Sequence, residues 1–348
     1  MNSSKIIGVG EFLPGEPVTN AMIESHFGLR ADWIDLVIGT KARHFAVDLD
    51  SREVRHRLVD LCAEAARRAL EMAQLSAAEL DLIVLSTATP DQLMPSTVNM
   101  IAERLGANEV ATYQIQAGCA GSMQALALAK SLLEGGGHGH ALVMSGDTAY
   151  KFLERAIPTA ELQASELINL ALFGDGAGAA VLTTSRRRAG ITVGHIINRF
   201  EGNGVQAGHE LNWAPPWTPS ASSEDSAPRA QSAREDYKAI EERVPLMAKE
   251  VMDELLSAAG CGLSDVQFVL PPQLAGRITD RIMSVLGVDP ARCLSRVADV
   301  GNTGNATPYF QLTELWERMK PRDSAILIAI ESSKWLKTGL FLTRTGEA

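Results

Sequence analysis

Short apolar segments alternate with helical segments along the first half of the chain, and this alternation constrains the fold strongly. Lys5–Val9 and the run LIVLS at Leu82–Ser86 have the composition of strands, whereas Glu53–Met72 carries apolar residues at three- and four-residue spacing, as helices do. Strands that alternate with helices form an internal sheet with helices on both faces. The pattern therefore predicts an α/β fold. It continues through predicted helices at Ser96–Leu105 and Gly121–Leu133 and predicted strands at Thr112–Gln116, Ala141–Ser145 and Ala177–Thr183.

The second half of the chain repeats this pattern. Leu75–Leu85 reads LSAAELDLIVL and Leu263–Leu270 reads LSDVQFVL, so both segments join a helix to an apolar strand through a short connection that begins with Leu-Ser and contains an acid. Two such copies predict a duplicated α/β unit, with halves at 1–185 and 186–348. A chance likeness of two short segments is the alternative. The predicted elements of this half are helices at Asp236–Ala259 and Leu274–Leu286 and strands at Gln267–Leu270 and Ala325–Ile330.

Composition excludes several classes of protein. The 348 residues are 46% hydrophobic and 21% charged, which is ordinary for a chain with a core and excludes intrinsic disorder. The net charge of −10 makes nucleic acid an unfavourable partner, and no apolar run of about 18 residues predicts a membrane span. The first residues do not resemble a secretory signal. Four widely spaced cysteines predict neither a zinc site nor disulfides, so we expect a cytoplasmic protein without a metal.

One segment departs from the α/β pattern. Trp213–Glu235 (WAPPWTPSASSEDSAPRAQSARE) is rich in Pro, Ser and Ala, and such a composition predicts an exposed loop. Its two tryptophans are unusual in a purely solvated loop. The alternative is therefore a lid over the pocket of an acceptor substrate.

Cys119 is the most informative residue for chemistry. It follows a predicted strand, precedes a predicted helix and lies among small residues in the sequence AGCAGS. A tight strand-to-helix turn exposes its central side chain, and the positive end of the helix favours a thiolate. The pattern predicts a nucleophile. A buried structural cysteine is the alternative.

A family resemblance extends over nearly the whole chain. The segments that carry it are IIGVGEFLP (Ile6–Pro14), DWIDLVIGTKARH (Asp32–His44), TATP (Thr87–Pro90), AGCAGS (Ala117–Ser122), FGDGAGAAVL (Phe173–Leu182) and GNTGNAT (Gly301–Thr307). Through them the chain resembles the ketoacyl-acyl-carrier-protein synthase III branch of the thiolase superfamily. The resemblance implies a thiolase-like five-layer αβαβα fold of two similar halves, a homodimer, and an active-site cysteine at Cys119 that carries the acyl group as a thioester.

The chain departs from this family at the residues that support decarboxylation. The family uses Cys, His and Asn, and its His and Asn stabilise the carbanion that forms when a malonyl thioester loses carbon dioxide. The His lies in a Pro-His-Gln-Ala-Asn stretch, where this chain has Pro272 at the His position and Ala275 at the position of the motif's Asn. Proline cannot transfer protons. Asn302, in GNTGNAT, keeps the position of the catalytic Asn.

A second departure concerns the loop near the C-terminus. The family has a Gly-rich stretch there, whose backbone N–H helps to bind the thioester oxyanion. This chain reads Ile330–Glu331–Ser332–Ser333–Lys334–Trp335, and the resemblance implies that the N–H of Ser332 serves instead. A rearranged loop that only packs is the alternative. For Glu331 we expect a solvated acid rather than a replacement base.

Contacts to the acyl donor are also changed. Trp33 matches a family Trp that stacks on the adenine of coenzyme A, but the two nucleotide-contacting arginines fall at Val37 and near Leu167. Each lost arginine removes charge-assisted bonds worth roughly 1.5–3 kcal/mol, which favours an acyl carrier protein over acyl-CoA as donor. Arg277 and Arg281 are the predicted carrier-protein docking residues. Two ordinary solvated arginines are the alternative.

Two further residues are candidates for substrate binding. Met94 matches the residue that reaches across the dimer to close the partner's acyl pocket, and a core methionine is the alternative. His209 precedes the Pro/Ser-rich segment and is a candidate replacement for the missing His. A surface residue is the alternative.

These residues predict an acyltransferase without a cofactor. Cys119 would take an acyl group from a carrier-protein or CoA thioester and pass it to a hydroxyl or amine of a small-molecule acceptor in secondary metabolism, such as antibiotic or polyketide tailoring. The acceptor amine itself, His209 and Glu331 are the candidate bases. A condensing enzyme, a catalytically silent acyl-binding partner and a thioesterase are the alternatives.

Overall fold

Nine strands form one continuous sheet in the computed structural model, which describes residues 3–152, 164–211 and 233–346. The described strands, four of which form two separate pairs outside this sheet, are β1 (Lys5–Phe12), β2 (Val18–Thr19), β3 (Ala42–Arg43), β4 (Leu82–Thr87), β5 (Ala111–Gln116), β6 (His140–Asp147), β7 (Gly176–Thr183), β8 (Ile191–Phe200), β9 (His209–Leu211), β10 (Ala233–Glu235), β11 (Phe268–Leu270), β12 (Ser324–Glu331) and β13 (Leu336–Arg344). The separate pairs are β2 with β3 and β9 with β10. The helices are α1 (Asn20–Phe27), α2 (Ala31–Trp33), α3 (Leu58–Ala73), α4 (Thr97–Leu105), α5 (Gly121–Glu134), α6 (Ala164–Leu172), α7 (Tyr237–Ala259), α8 (Gly276–Leu286), α9 (Val297–Val300) and α10 (Thr307–Arg318).

The strand order repeats within the sheet. The first half runs β1-β7-β6-β4-β5, and the second runs β8-β13-β12-β11. In both series the first two pairs of neighbouring strands are antiparallel, and the remaining pairs are parallel. The two halves meet where β1 pairs with β8 at Lys5 and Ile6. The duplicated unit predicted from the Leu-Ser echo is therefore visible in the strand order.

The echo itself folds alike in both halves. Short 3-10 turns at Ala77–Glu79 and Leu263–Asp265 connect a helix to β4 and to β11. In each turn the acid accepts the backbone N–H that opens it, at 2.8 Å for Ser76 with Glu79 and 2.8 Å for Gly262 with Asp265. The acid was thus the informative residue of the motif, because it caps the turn that starts the strand.

The two halves of the sheet form two layers, and they alternate with three layers of helices. The middle layer consists of α5 and α10, whose Leu126 and Leu312 share one core cluster with Val84 of the first half and Leu327 of the second. The outer face of the first half is covered by α3 and α4, and that of the second by α7 and α8. The α/β class and the αβαβα layering predicted from the sequence are confirmed.

Glycine and alanine residues explain the close contact between β1 and α3. A Cβ on Gly8 or Gly10 of β1 would overlap the carbonyls of Ala69 and Ala65 in α3. Glycine on the strand and alanine on the helix therefore allow the two backbones to touch. No helix in the described ranges has the length and apolar character needed to cross a membrane.

Two predicted helix starts and the end of the predicted loop differ from the structure by two residues or more. The helix predicted from Glu53 begins only at Leu58, because the Asp91 carboxylate accepts the N–H groups of Leu58 (3.1 Å) and Val59 (2.9 Å) and so starts the helix there. The helix predicted from Leu274 begins at Gly276. The loop predicted at Trp213–Glu235 ends in strand β10, which pairs with β9, whereas 212–232 lies outside the described residues.

Candidate active site

Cys119 lies in the turn between β5 and α5, as the sequence predicts. A Cβ on Gly121 would overlap the Ser86 Oγ and the Asn305 Oδ1, and a Cβ on Gly118 would lie 3.2 Å from the Glu331 carboxyl carbon. A side chain at Gly121 cannot fit without movement of its neighbours, and one at Gly118 would press on Glu331. The small neighbours of Cys119 therefore make room for two polar side chains brought in from the second half.

Cys119 opens onto a narrow pocket. The pocket is lined by the segment 271–274, the start of α10 and the end of β12. Pro272, which the family resemblance places at the His position, is among its walls. Nothing on a proline ring transfers a proton, so this wall contributes shape and no acid–base chemistry.

Glu331 holds the turn that carries Cys119. Its Oε2 accepts the N–H of Gly118 at 3.0 Å and that of Ala120 at 3.3 Å, and its Oε1 accepts the Ser333 hydroxyl. The residue is 6% exposed. The expectation of a solvated loop acid is therefore wrong, since the end of β12 carries Glu331 inward onto the nucleophile turn.

A second polar group supports the turn from beneath. The Asn305 amide nitrogen donates to the carbonyl of Ala117 at 2.8 Å and to Asp147 Oδ2 at 2.8 Å, and its oxygen accepts the Ser86 hydroxyl at 2.8 Å. Sequence reasoning missed Asn305 and Asp147. The available signal was the second Asn of GNTGNAT, which follows Asn302 by three residues.

Asn302 is buried, and its side chain forms a hydrogen bond within its own loop. Its Oδ1 accepts the N–H of Gly304 at 2.9 Å, and its backbone pairs with Phe173. It is not among the residues that line the pocket at Cys119. Its predicted catalytic role stays a prediction.

The thiol of Cys119 is held neutral. Burial is the main cause that raises its pKa, to about 12, and the charges of Glu331, Asp147 and Glu235 act in the same direction. The expected preference for a thiolate at the helix N-terminus is therefore not met, because desolvation and three carboxyl groups outweigh the helix dipole.

His209 lies beside this site rather than on the surface. Its ring stacks on Phe173 with centroids 6.0 Å apart, and its side chain is 17% exposed. Its Nε2 is 3.9 Å from Oε1 of Glu235, whose side chain is 6% exposed. The Tyr237 hydroxyl approaches the same carboxyl without closing a hydrogen bond to it. The surface alternative for His209 is wrong.

Burial sets the charges of this pair. It lowers the pKa of His209 to about 4 and raises that of Glu235 to about 7. His209 is therefore neutral at pH 7, and Glu235 titrates near neutrality. Glu235 is a second acid that the sequence did not reveal, since it was assigned to the exposed loop.

Ser332 begins the turn after β12. Its carbonyl accepts the N–H of Gly208 at 2.9 Å. Within the described part of the chain, neither the Ser332 amide nor the Cys119 amide donates a hydrogen bond to another residue. Both N–H groups remain available to an oxyanion, as the predicted role of Ser332 requires.

The remaining candidates lie at the surface. Trp33 lines an open groove with Arg30, Leu36 and Ile168. Arg277 is exposed where α8 packs on Gly39, whereas Arg281 is paired with Glu241.

Met94 is 87% exposed on the connection between β4 and α4, so the core alternative for it is wrong. The described residues contain no group of His, Cys, Asp and Glu arranged to hold a metal ion.

Comparison with known proteins agrees with this architecture. The sequence profile of 3-oxoacyl-[acyl-carrier-protein (ACP)] synthase III matches residues 113–198, and the profile of its C-terminal part matches residues 256–332. The β-ketoacyl-[acyl-carrier-protein] synthase III of Desulfitobacterium hafniense is 32% identical over 90% of this chain and 89% of its own. That of Thermosynechococcus vestitus is 31% identical over 87% and 86%.

Solved structures give the same result. AbyA1, described as a tetronic acid condensing enzyme, superposes with a TM-score of 0.91 and 41% identity over 98% of this chain and 100% of its own. The priming β-ketosynthase of the R1128 polyketide pathway has a TM-score of 0.82 and 26% identity over 100% and 98%. The chain therefore belongs to the β-ketoacyl-acyl-carrier-protein synthase III family of thiolase-like enzymes, which transfer or condense acyl groups carried as thioesters.

Proposed function

We propose that this enzyme is a cysteine-dependent acyltransferase that does not decarboxylate malonyl thioesters. The Cys119 sulfur attacks the carbonyl of an acyl thioester, and the thiol of the carrier protein or of CoA leaves with the proton. A hydroxyl or amine of a small acceptor then attacks the new thioester, and the Cys119 thiol is regenerated. The acceptor class is that of tailoring reactions in secondary metabolism.

Pro272 is the observation that carries the proposal. It lines the pocket with Cys119, and the family resemblance assigns to it the position of the imidazole that a decarboxylating enzyme uses. Loss of carbon dioxide from a malonyl thioester leaves an enolate whose charge needs a donor, and proline offers none. Acyl capture needs only a nucleophile and an oxyanion site, and the free amides of Cys119 and Ser332 support both steps of acyl transfer.

The surface features favour a carrier-protein donor. Trp33 lines an open groove, and Arg277 is exposed where α8 packs on Gly39. Val37 is 49% exposed in the same stretch and offers no charge to a nucleotide phosphate. An acidic carrier protein docking at Arg277 would replace those missing phosphate contacts.

Intact-protein mass spectrometry tests the proposal. The protein and its Cys119→Ala variant are incubated with a panel of acyl-carrier-protein and acyl-CoA thioesters. We expect a mass increase equal to one acyl group in the wild type and none in the variant, followed by its loss when candidate acceptors are added. Failure of every donor to load Cys119 would favour a silent acyl-binding partner.

Condensation is the second candidate function. It is favoured by the 41% identity to a protein described as a tetronic acid condensing enzyme. In that case the acyl group on Cys119 passes to a carbon nucleophile. Labelled carbon dioxide from a malonyl thioester would indicate decarboxylative condensation. A new carbon–carbon bond without that release would indicate condensation with a carbon acid that needs a base instead.

A further inference from the structure

We propose that His209 and Glu235 together accept the proton of the nucleophile that attacks acylated Cys119. The inference rests on the proposed function, because it assigns the base that acyl transfer from Cys119 requires. It applies to an oxygen, nitrogen or carbon nucleophile alike, since each must lose a proton.

The ribbon formed by β9 and β10 is anchored beside the nucleophile. His209 pairs with Glu235 in the ribbon's register, so the two residues are cross-strand neighbours. Gly208 donates its N–H to the Ser332 carbonyl at 2.9 Å, and Asp236 donates to the Gly208 carbonyl at 2.7 Å. The ribbon is therefore tied to the turn that follows Glu331, which itself holds the Cys119 turn.

His209 is connected to the loop of Asn302 through Phe173. Phe173 stacks on the His209 ring, and the Phe173 backbone pairs with Asn302. Glu235 lies near enough for its charge to raise the pKa of Cys119. The pair is thus connected to the loop of Asn302 through Phe173 and to the Ser332 turn through Gly208, and Glu235 is close enough to Cys119 to act on it electrostatically.

Buried polar atoms of His209, Glu235 and the adjacent Tyr237 lack hydrogen-bond partners. The Nε2 of His209, the Oε2 of Glu235 and the Tyr237 hydroxyl have no hydrogen-bond partner among the described residues. Leaving a buried polar group unpaired is unfavourable, so native structures pair most of them. Three such atoms close together can therefore form hydrogen bonds to a group that is not part of the protein.

Glu331 is a poorer base than this pair. Its two oxygens already accept the N–H groups of Gly118 and Ala120 and the Ser333 hydroxyl. These bonds tie both oxygens to the turn that carries Cys119 and its neighbour, the turn after β12. Glu331 is therefore a positioning residue, whereas His209 and Glu235 have open acceptors.

In this step His209 acts as a general base. The acceptor's O–H gives its proton to the neutral His209 imidazole as its oxygen bonds to the thioester carbon, and the Glu235 carboxyl group stabilises the imidazolium. The C–S bond then breaks, the Cys119 sulfur receives the proton from the imidazolium, and the pair returns to its first state. Such catalysis contributes about 10²–10⁴-fold to a rate.

The test separates loading of Cys119 from attack on the acyl group. p-Nitrophenyl acetate acetylates the protein without recognition of a carrier, and Cys119→Ala identifies acetylation elsewhere. The isolated acetyl-enzyme is then followed by intact mass in water, the smallest hydroxyl acceptor, and in hydroxylamine, which attacks without a base. The variants are His209→Gln and Glu235→Gln. Glu210→Gln is the matched control, because Glu210 neighbours His209 but faces Arg234.

We expect both variants to slow the reaction with water by about 10²-fold and the reaction with hydroxylamine less than twofold. Glu210→Gln should react as the wild type does. The inference is overturned if water removes the acetyl group equally fast in wild type and variants, if both reactions slow together, or if the wild type is no faster than denatured acetyl-enzyme. Failure of the proposed function would appear elsewhere, as thioesters that never load Cys119.

Discussion

At the scale of single residues, the neutral Cys119 thiol is the feature with the clearest consequence. Since its pKa is raised to about 12, its thiolate fraction should increase about tenfold for each pH unit between 7 and 10. Alkylation of Cys119 by iodoacetamide, followed by peptide mass spectrometry, should increase in the same proportion.

Glu331→Gln tests the cause of that high pKa. Glutamine keeps an oxygen to accept the N–H groups of Gly118 and Ala120 but removes the charge that raises the pKa of Cys119. Alkylation at pH 8 should therefore become several-fold faster. Glu210→Gln should leave it unchanged. Slower alkylation in Glu331→Gln would show that the carboxylate acts as a base toward the thiol.

Glu235 makes the stability of the protein depend on pH. Its pKa is 4.5 in a model peptide and about 7 when buried, so the folded protein favours the protonated acid. The free energy of unfolding should thus decrease as the pH rises from about 4.5 to about 7.

Glu235→Gln removes this dependence. The variant should match the wild type near pH 4.5 and exceed it by up to about 3 kcal/mol at pH 8, which urea unfolding at both pH values measures. Glu210→Gln, on the exposed side of β9, serves as the control. Equal stability of variant and wild type at pH 8 would show that Glu235 stays protonated or solvated.

At the scale of elements, the β5–α5 turn depends on glycine at its helical end. Alanine favours a helix over glycine by about 1 kcal/mol, but a Cβ at Gly121 would overlap Ser86 and Asn305. Such overpacking costs typically 1–3 kcal/mol, so the overlap outweighs the propensity.

Gly121→Ala should therefore lower the free energy of unfolding by about 1–2 kcal/mol and slow acylation of Cys119, because Asn305 would leave the Ala117 carbonyl. Urea unfolding and acetylation rates measure both effects. Gly262→Ala is the control, since its Cβ would meet no atom closer than 3.5 Å. A variant with both properties of the wild type would contradict the tight packing of this turn.

Local patterns predicted elements better than they predicted partners. The run LIVLS is buried along its whole length, so apolar content alone located β4. The strands β8 and β13 escaped prediction because charged side chains such as Arg199 and Lys337 interrupt their apolar residues. The spacing around Cys119 predicted the nucleophile, but its neighbours Asn305 and Glu331 are about 190 and 210 residues away, which no local pattern reports.

At the scale of the whole molecule, the site is assembled from both halves. The first half supplies Cys119, and the second supplies Asn305, Glu331 and the β9–β10 ribbon. We also propose a homodimer, because the connection before α4 exposes Leu93 (74%) and Met94 (87%) to solvent.

Met94→Glu tests the dimer. A charge at an apolar contact would be desolvated by the partner, so the dimer dissociation constant should increase at least tenfold in sedimentation experiments. Leu246→Glu is the matched control, since Leu246 is also exposed (61%) but lies on α7. A monomeric wild type, or equal effects of both substitutions, would contradict the proposed interface.

The antiparallel pairing of β9 with β10 has a consequence for the evolution of the chain between them. His209 and Glu235 face each other across paired strands, and the chain between Leu211 and Ala233 leaves and returns at the same point. The entropy of closing such a connection grows only with the logarithm of its length. Insertions and deletions there are therefore inexpensive and leave the pair in place. The length and sequence of that connection can thus change over evolution while His209 and Glu235 stay paired.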